Sequence, residues 1–142
     1  KLDRDRYKFV LVGKNSKKLY FSKEPGIVTI DFVKDIRDTY YDADVCVFPI
    51  RYGGGTSYKI LESMATGVPI ISYDYKMEAL DAEPGVHYLL ANNEIKIIEQ
   101  FERLFSDEKL RTKIIKNARK LVEERYSWEI IGRKMNEVWR NL

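Results

Sequence analysis

A buried strand running straight into a triple glycine constrains this chain more than any other feature. Asp44-Val45-Cys46-Val47-Phe48-Pro49-Ile50 is nearly continuous in apolar residues, the pattern of a parallel strand covered on both faces. It meets Gly53-Gly54-Gly55, then a helical pattern from about Thr56 to Thr66, then Gly67-Val68-Pro69 and a further apolar strand, Pro69 to Tyr73. Strand, glycine loop, helix and strand in that order form the unit from which parallel α/β sheets are assembled.

The rest of the chain repeats the alternation. Tyr7 to Gly13 reads as a first strand, followed by a short polar stretch from Lys14 to Ser22. Gly26 to Val33 reads as a second strand, with a short helix from about Lys34 to Tyr41. After the fourth strand a loop from Asp74 to Gly85 carries Glu78 and a turn of helix around Met77 to Leu80, and His87 to Leu90 reads as the fifth strand. The remainder is helical: Glu94 to Ser106, then Asp107 as N-cap of a helix to about Tyr126, then Ser127 as N-cap of a helix over 128–142. The length of 142 residues suits one domain, and the alternation predicts an α/β fold with a right-handed parallel sheet.

Parallel strands deliver ligands to their carboxyl ends, which turns attention to Gly53, Gly54 and Gly55. Glycine permits positive φ and close backbone approach, and Thr56 or Ser57 can cap the next helix. The amides of a helix's first turn have no intrahelical acceptor and carry roughly half a positive charge together, so they favour a diphosphate. Lys59 adds a point charge in the first turn. Glu62 lies near the same face about one turn on, where a carboxylate accepts hydrogen bonds from sugar hydroxyls such as those of a ribose. Each piece alone has a plainer account: three glycines more often mark a tight turn, and Lys59 and Glu62 are ordinary helix residues. Their combination after a buried strand points to a site.

Composition narrows the classes. Charged residues make up 33% and hydrophobic residues 44% of the chain, and no apolar run approaches the roughly 20 residues of a membrane span. A net charge of +3 gives no argument for nucleic acid as a partner. Basic residues gather between Lys109 and Lys120, which reads as a solvated helix face first and as a face for peripheral contact with anionic lipid second. The lone Cys46 sits mid-strand as a small core residue and excludes an internal disulfide, which suits a reducing, cytoplasmic compartment. His87, the single histidine, has no carboxylate or serine neighbour and reads as structural. No metal-ligand cluster, no GxxxxGK[ST] loop and no paired carboxylates at glycosidase spacing occur, which disfavours metalloenzymes, P-loop nucleotidases and glycoside hydrolases.

The segment GGGTSYKILESMATGVPII, together with PGVHYLLANN (Pro84 to Asn93) and NARKLVEERYSWEIIG (Asn117 to Gly132), resembles the donor-binding half of retaining GT-B glycosyltransferases of family four. The similarity extends over nearly all of the chain. It implies a Rossmann-like three-layer α/β/α domain, the C-terminal half of a GT-B fold, in a hexosyltransferase that uses a nucleotide-diphosphate sugar as co-substrate, without metal or other cofactor. The resemblance gives Glu62 the donor ribose and gives the glycine loop the diphosphate, with Lys59 at a recurrent basic position. Gly13 would fall in a nucleotide-facing loop, and Phe32 and Val33 where the base lies, although core packing explains these two equally well. It also implies an acceptor-binding N-terminal domain outside these residues, an isolated half without activity, and a last helix that crosses back to that domain. Trp128, Ile131, Met135, Val138 and Trp139 form an apolar stripe suited to that crossing or to packing on this chain's own sheet.

Two positions depart from the family pattern. Gly54 stands where the commoner motif has the first of two glutamates, and Ser57 where the glycine-rich subgroup often has arginine. The basic pair that grips the diphosphate would lie at or before residue 1, leaving Lys1, Arg4 and Arg6 as substitutes. A nucleotide-sugar epimerase half and a non-catalytic nucleotide-binding module remain as alternatives, the former requiring an acid or base set near the sugar.

Overall fold

The computed structural model describes residue 3 and residues 5–53 and 57–141. It is a mixed α/β, Rossmann-like structure in two compact units, Lys1–Thr39 and Tyr40–Leu142.

In the first unit, β1 (Phe9–Val12) and β2 (Ile27–Ile30) pair in parallel, with Phe9 opposite Ile27 and Val12 opposite Ile30. A 3-10 turn, Ser16–Lys18, connects them. Ser16 Oγ and the Lys17 amide both donate to Asp31 Oδ1, at 3.0 and 3.1 Å, and tie that turn to the end of β2. These bonds, the Lys17 amide first among them, hold the Asp31 carboxyl below its ordinary range. The helix α1 (Ile36–Tyr41) begins in the first unit and ends in the second, to which Tyr40 and Tyr41 belong.

The second unit holds a three-stranded parallel sheet of β3 (Cys46–Phe48), β4 (Ile70–Ser72) and β5 (Leu89–Leu90), ordered β3-β4-β5. The strands are shorter than their apolar runs because the ladder stops where a partner ends: Leu89 and Leu90 pair with Ile71 and Ser72. Directly after β3, Pro49 has no N–H to contribute to a ladder. The central strand is covered on both faces, as its run of apolar residues predicts. Ile70 packs with Ile60, Met64, Tyr88, Ala118 and Leu121, whereas Ile71 packs with Tyr73, Leu89, Leu104 and Ile114. Both isoleucines are 0% exposed, each worth about 1.5–3 kcal/mol in burial.

The helices are α2 (Tyr58–Thr66), α3 (Glu94–Ser106), α4 (Glu108–Arg125) and α5 (Trp128–Arg140). Asn93, Asp107 and Ser127 cap the last three through side-chain oxygens, accepting from the amides of Lys96, Leu110 and Ile130. Gly67 ends α2 at φ +80°, its amide donating to Met64 O and that of Val68 to Ser63 O, a Schellman closure. On α4 the basic run is partly neutralised by Arg119–Glu123 at 2.8 Å and Lys120–Glu124 at 3.6 Å. None of the described side chains of α5 is buried, and Trp128, Met135, Val138 and Trp139 of its apolar stripe are exposed. No helix among the described residues is long and apolar enough to cross a membrane.

Candidate donor-binding site

In the second unit the chain leaves β3 through Arg51 and Tyr52 and reaches Gly53, whose φ of +134° lies where residues with a side chain are rarely found. Gly54, Gly55 and Thr56 lie outside the described residues. Ser57 occupies the N-cap position of α2, but its hydroxyl makes no capping hydrogen bond, contrary to the expectation that it can close the helix start. Its carbonyl instead accepts from the Ile60 amide at 2.9 Å.

Lys59 and Glu62 follow on exposed positions of α2, while Ile60, Ser63 and Met64 point inward and fix the helix against the core. The Tyr40 hydroxyl lies 3.1 Å from Glu62 Oε2 and 3.2 Å from Lys59 O, so its single proton is shared between them. Tyr40 is itself buried; loss of water and then the nearby Glu62 charge push its phenol well above the usual range. A neutral phenol facing a carboxylate is a donor, and it aims one carboxylate oxygen while leaving the other available. Nothing in the sequence signals this contact, which joins residues 22 positions apart.

The loop after β4 completes this end of the sheet. It forms two 3-10 turns, Asp74–Lys76 and Glu78–Leu80, where the sequence predicts one helical turn around Met77 to Leu80. Lys76 is 8% exposed, and its Nζ donates to Gly53 O at 2.5 Å; the Tyr75 hydroxyl donates to the same carbonyl at 3.2 Å. Glu78 is exposed. Arg51 lies over the Tyr73 ring at 5.4 Å and reaches Glu94 at 3.4 Å. Cations directly after buried strands were the available sequence signal for Arg51; the burial of Lys76 had none.

In the first unit, Gly13 follows β1 at φ +154° and its amide donates to Ile30 O at 2.9 Å. Phe32 and Val33 stand just beyond β2. Phe32 is 83% exposed, so core packing does not account for it, whereas Val33 is half-buried. His87 accepts the Glu83 amide at Nδ1 (2.9 Å), and burial lowers its pKa; it closes a turn. Of the basic residues near the start, Arg6 lies over Tyr7 at 5.4 Å, and Lys1 and Arg4 fall outside the described residues. An open depression on α4, lined by Glu108, Lys109, Thr112, Lys113, Lys116 and Asn117, contains none of the residues singled out for donor binding. Among the described residues no group of three or more His, Cys, Asp or Glu is arranged to hold a metal ion.

The family model for glycosyl transferases group 1 matches residues 1–107. The capsular polysaccharide biosynthesis glycosyltransferase CapM of Staphylococcus aureus is 30% identical over 125 residues, 85% of this chain and 32% of its own length. An uncharacterized glycosyltransferase of Methanocaldococcus jannaschii is 29% identical over 98% of this chain and 38% of its own length. The chain therefore spans roughly a third of these relatives. Among solved structures, Anabaena HepE in complex with UDP superposes with a TM-score of 0.83 at 18% identity, covering 96% of this chain and 41% of HepE. The C-terminal domain of the Francisella tularensis group 1 glycosyl transferase LpcC gives 0.64 at 25% identity, covering 74% of this chain and 56% of that domain. The fold is that of the C-terminal domains of GT-B glycosyltransferases.

Proposed function

The chain belongs to the glycosyl transferases group 1 family, and on that premise we propose that it is the donor-binding half of a retaining hexosyltransferase. The observation that carries this reading is Glu62, held by the buried Tyr40 one turn into α2, beside Lys59 and directly after the Gly53 segment. A carboxylate oriented in that way accepts from vicinal ribose hydroxyls. Lys59 and the positive end of α2 offset the charge of a diphosphate. HepE has been solved with UDP and with UDP-glucose, which supports a nucleotide-diphosphate sugar as the donor class.

In the reaction so proposed, an acceptor hydroxyl oxygen bonds to the anomeric carbon, the bond from that carbon to the diphosphate oxygen breaks with its electron pair, and configuration is retained. The acceptor proton is released as the diphosphate leaves. Lys59 and the first-turn amides of α2 stabilise the charge that develops on the leaving group. No other cofactor enters, and no residue of this chain is assigned as a base. Phe32, exposed at the end of β2, offers an aromatic face for the nucleotide base, next to Val33 and with Gly13 at the end of β1.

The acceptor is assigned to a further, N-terminal domain, for which the greater length of the relatives leaves room. The exposed stripe of α5 is assigned as the surface that meets that domain, so these 142 residues alone would not catalyse transfer. The lone, partly buried Cys46 suits a cytoplasmic protein, and the lysines of α4 offer a peripheral membrane contact for the whole enzyme.

The test uses the full-length protein that carries this chain, incubated with UDP-, GDP- and ADP-hexoses. Release of one nucleoside diphosphate, with hexose in the donor's anomeric configuration by NMR, is the expected result. An inverted product overturns retention; because transfer also needs an acceptor hydroxyl, it is failure of every donor nucleotide to bind the full-length protein that overturns the transferase reading.

A further inference from the structure

We infer that Lys76 is a positioning residue of the donor site, acting through the carbonyl of Gly53; the inference rests on the donor-binding reading above and adds a residue to it. Lysine in a loop ordinarily keeps its ammonium in water while its stem lies on the surface. Lys76 instead is 8% exposed, and its Nζ donates to a backbone carbonyl. Burying an ammonium is costly unless hydrogen bonds compensate, so its placement against Gly53 calls for a reason.

Gly53 supplies one. Its φ of +134° is open to glycine and to few other residues, and a Cβ there would meet nothing within 4 Å. No side chain anchors the backbone at this point, and glycine has the most conformational freedom to lose. Two donors converge on its carbonyl, Lys76 Nζ at 2.5 Å and the Tyr75 hydroxyl at 3.2 Å, which matches the two lone pairs of that oxygen. The ammonium also lies 5.3 Å from the Tyr75 ring, so the two donors support each other.

The clamp is anchored in the core. Asp74, two residues before Lys76, accepts from the Tyr88 hydroxyl at 2.7 Å, and Tyr88 is 0% exposed within the cluster formed by Ile60, Met64 and Ile70. Rigidity thus runs from Tyr88 through Asp74 to Lys76 and on to Gly53, the first residue of the glycine segment. Fixing that residue before a donor arrives lowers the ordering cost of binding.

The experiment compares Lys76→Met, Lys76→Arg and Tyr75→Phe with the parent in the full-length protein. Amide exchange over residues 50–60 is measured without nucleotide, alongside the affinity for UDP, GDP and ADP by calorimetry. The Ile50 and Ile60 amides, bonded to Phe48 O and Ser57 O, report opening on either side of the loop. Lys76→Met is expected to raise exchange there and to weaken the bound nucleotide, each by about tenfold, while residues 68–73 stay protected. Lys76→Arg, which keeps the cation and its donors, restores most of both effects, and Tyr75→Phe shows a smaller loss if Lys76→Met fails to fold. Unchanged exchange, or raised exchange with unchanged affinity, overturns the inference and leaves the donor reading standing. Absence of binding by the parent overturns the donor reading itself and the inference with it.

Discussion

The Tyr40 hydroxyl lies 3.1 Å from Glu62 Oε2, which joins the last turn of α1 to the carboxylate assigned to the donor. Tyr40→Phe removes that donor and keeps the ring. It is expected to cost about 1 kcal/mol of stability, and to weaken nucleotide binding several-fold because Glu62 is no longer aimed. Urea unfolding and calorimetry of the same variant check both, and unchanged affinity shows that the contact only joins α1 to α2.

Gly67→Ala is expected to destabilise the protein by about 1 kcal/mol. At φ +80° an alanine carries the left-handed penalty, while the nearest atom a Cβ would meet, Ile115 Cγ2, is 3.7 Å away, an ordinary contact. The loss is therefore backbone strain alone. A midpoint in urea equal to that of the parent contradicts the Schellman closure at this residue.

Ile71→Ala should cost about 2–5 kcal/mol, since Ile71 is 0% exposed in the cluster with Tyr73, Leu89, Leu104 and Ile114. Chemical denaturation measures it. A cost below about 1 kcal/mol would mean that this face of β4 is not closed by α3 and α4.

Burial pushes the Cys46 thiol from 9.0 up to about 11. Below pH 9.0 the thiol is protonated whether folded or unfolded, and its contribution to stability is fully present. As pH rises from 9.0 towards about 11 the unfolded thiol ionises and the folded one does not, so stability falls. Tyr40 and Tyr88, both raised above 10.0 chiefly by burial, extend the loss at higher pH. Denaturation midpoints from pH 8 to 10.5 should decline, with a shallower decline in Cys46→Ala. A thiol reagent at pH 8 should react slowly until the protein is unfolded, and rapid reaction of the native protein contradicts this environment for Cys46.

The elements that a single side-chain period reveals were legible in the sequence. Ile70 and Ile71, consecutive and both apolar, announce a strand buried on two faces, and Asp107 and Ser127 announce helix starts. Gly67 announces a helix end. What the sequence hides is set by contacts between distant residues. The expected strands Asp44 to Ile50 and His87 to Leu90 are longer than Cys46–Phe48 and Leu89–Leu90, because the sequence does not show where hydrogen-bonding partners stop. Ser57 looks like a cap but its side chain is not used as one. Of the site, Lys59 and Glu62 share a face because they are three apart on a helix, which spacing alone states. Tyr40 and Lys76 do not announce themselves, because one meets Glu62 across 22 positions and the other meets Gly53 across 23. Phe32 reads equally as core or as ligand face in the sequence, and its exposure removes the core reading.

The central claim, that Glu62 holds the ribose of a nucleotide donor, is tested most directly by calorimetric titration of the full-length protein and its Glu62→Ala variant with UDP, GDP and ADP at low salt. The account predicts that one nucleotide binds the parent and that the variant binds it about 10–100-fold more weakly, as expected for losing a charged hydrogen-bond acceptor. Equal affinity in parent and variant, or no binding of any nucleotide by the parent, contradicts it.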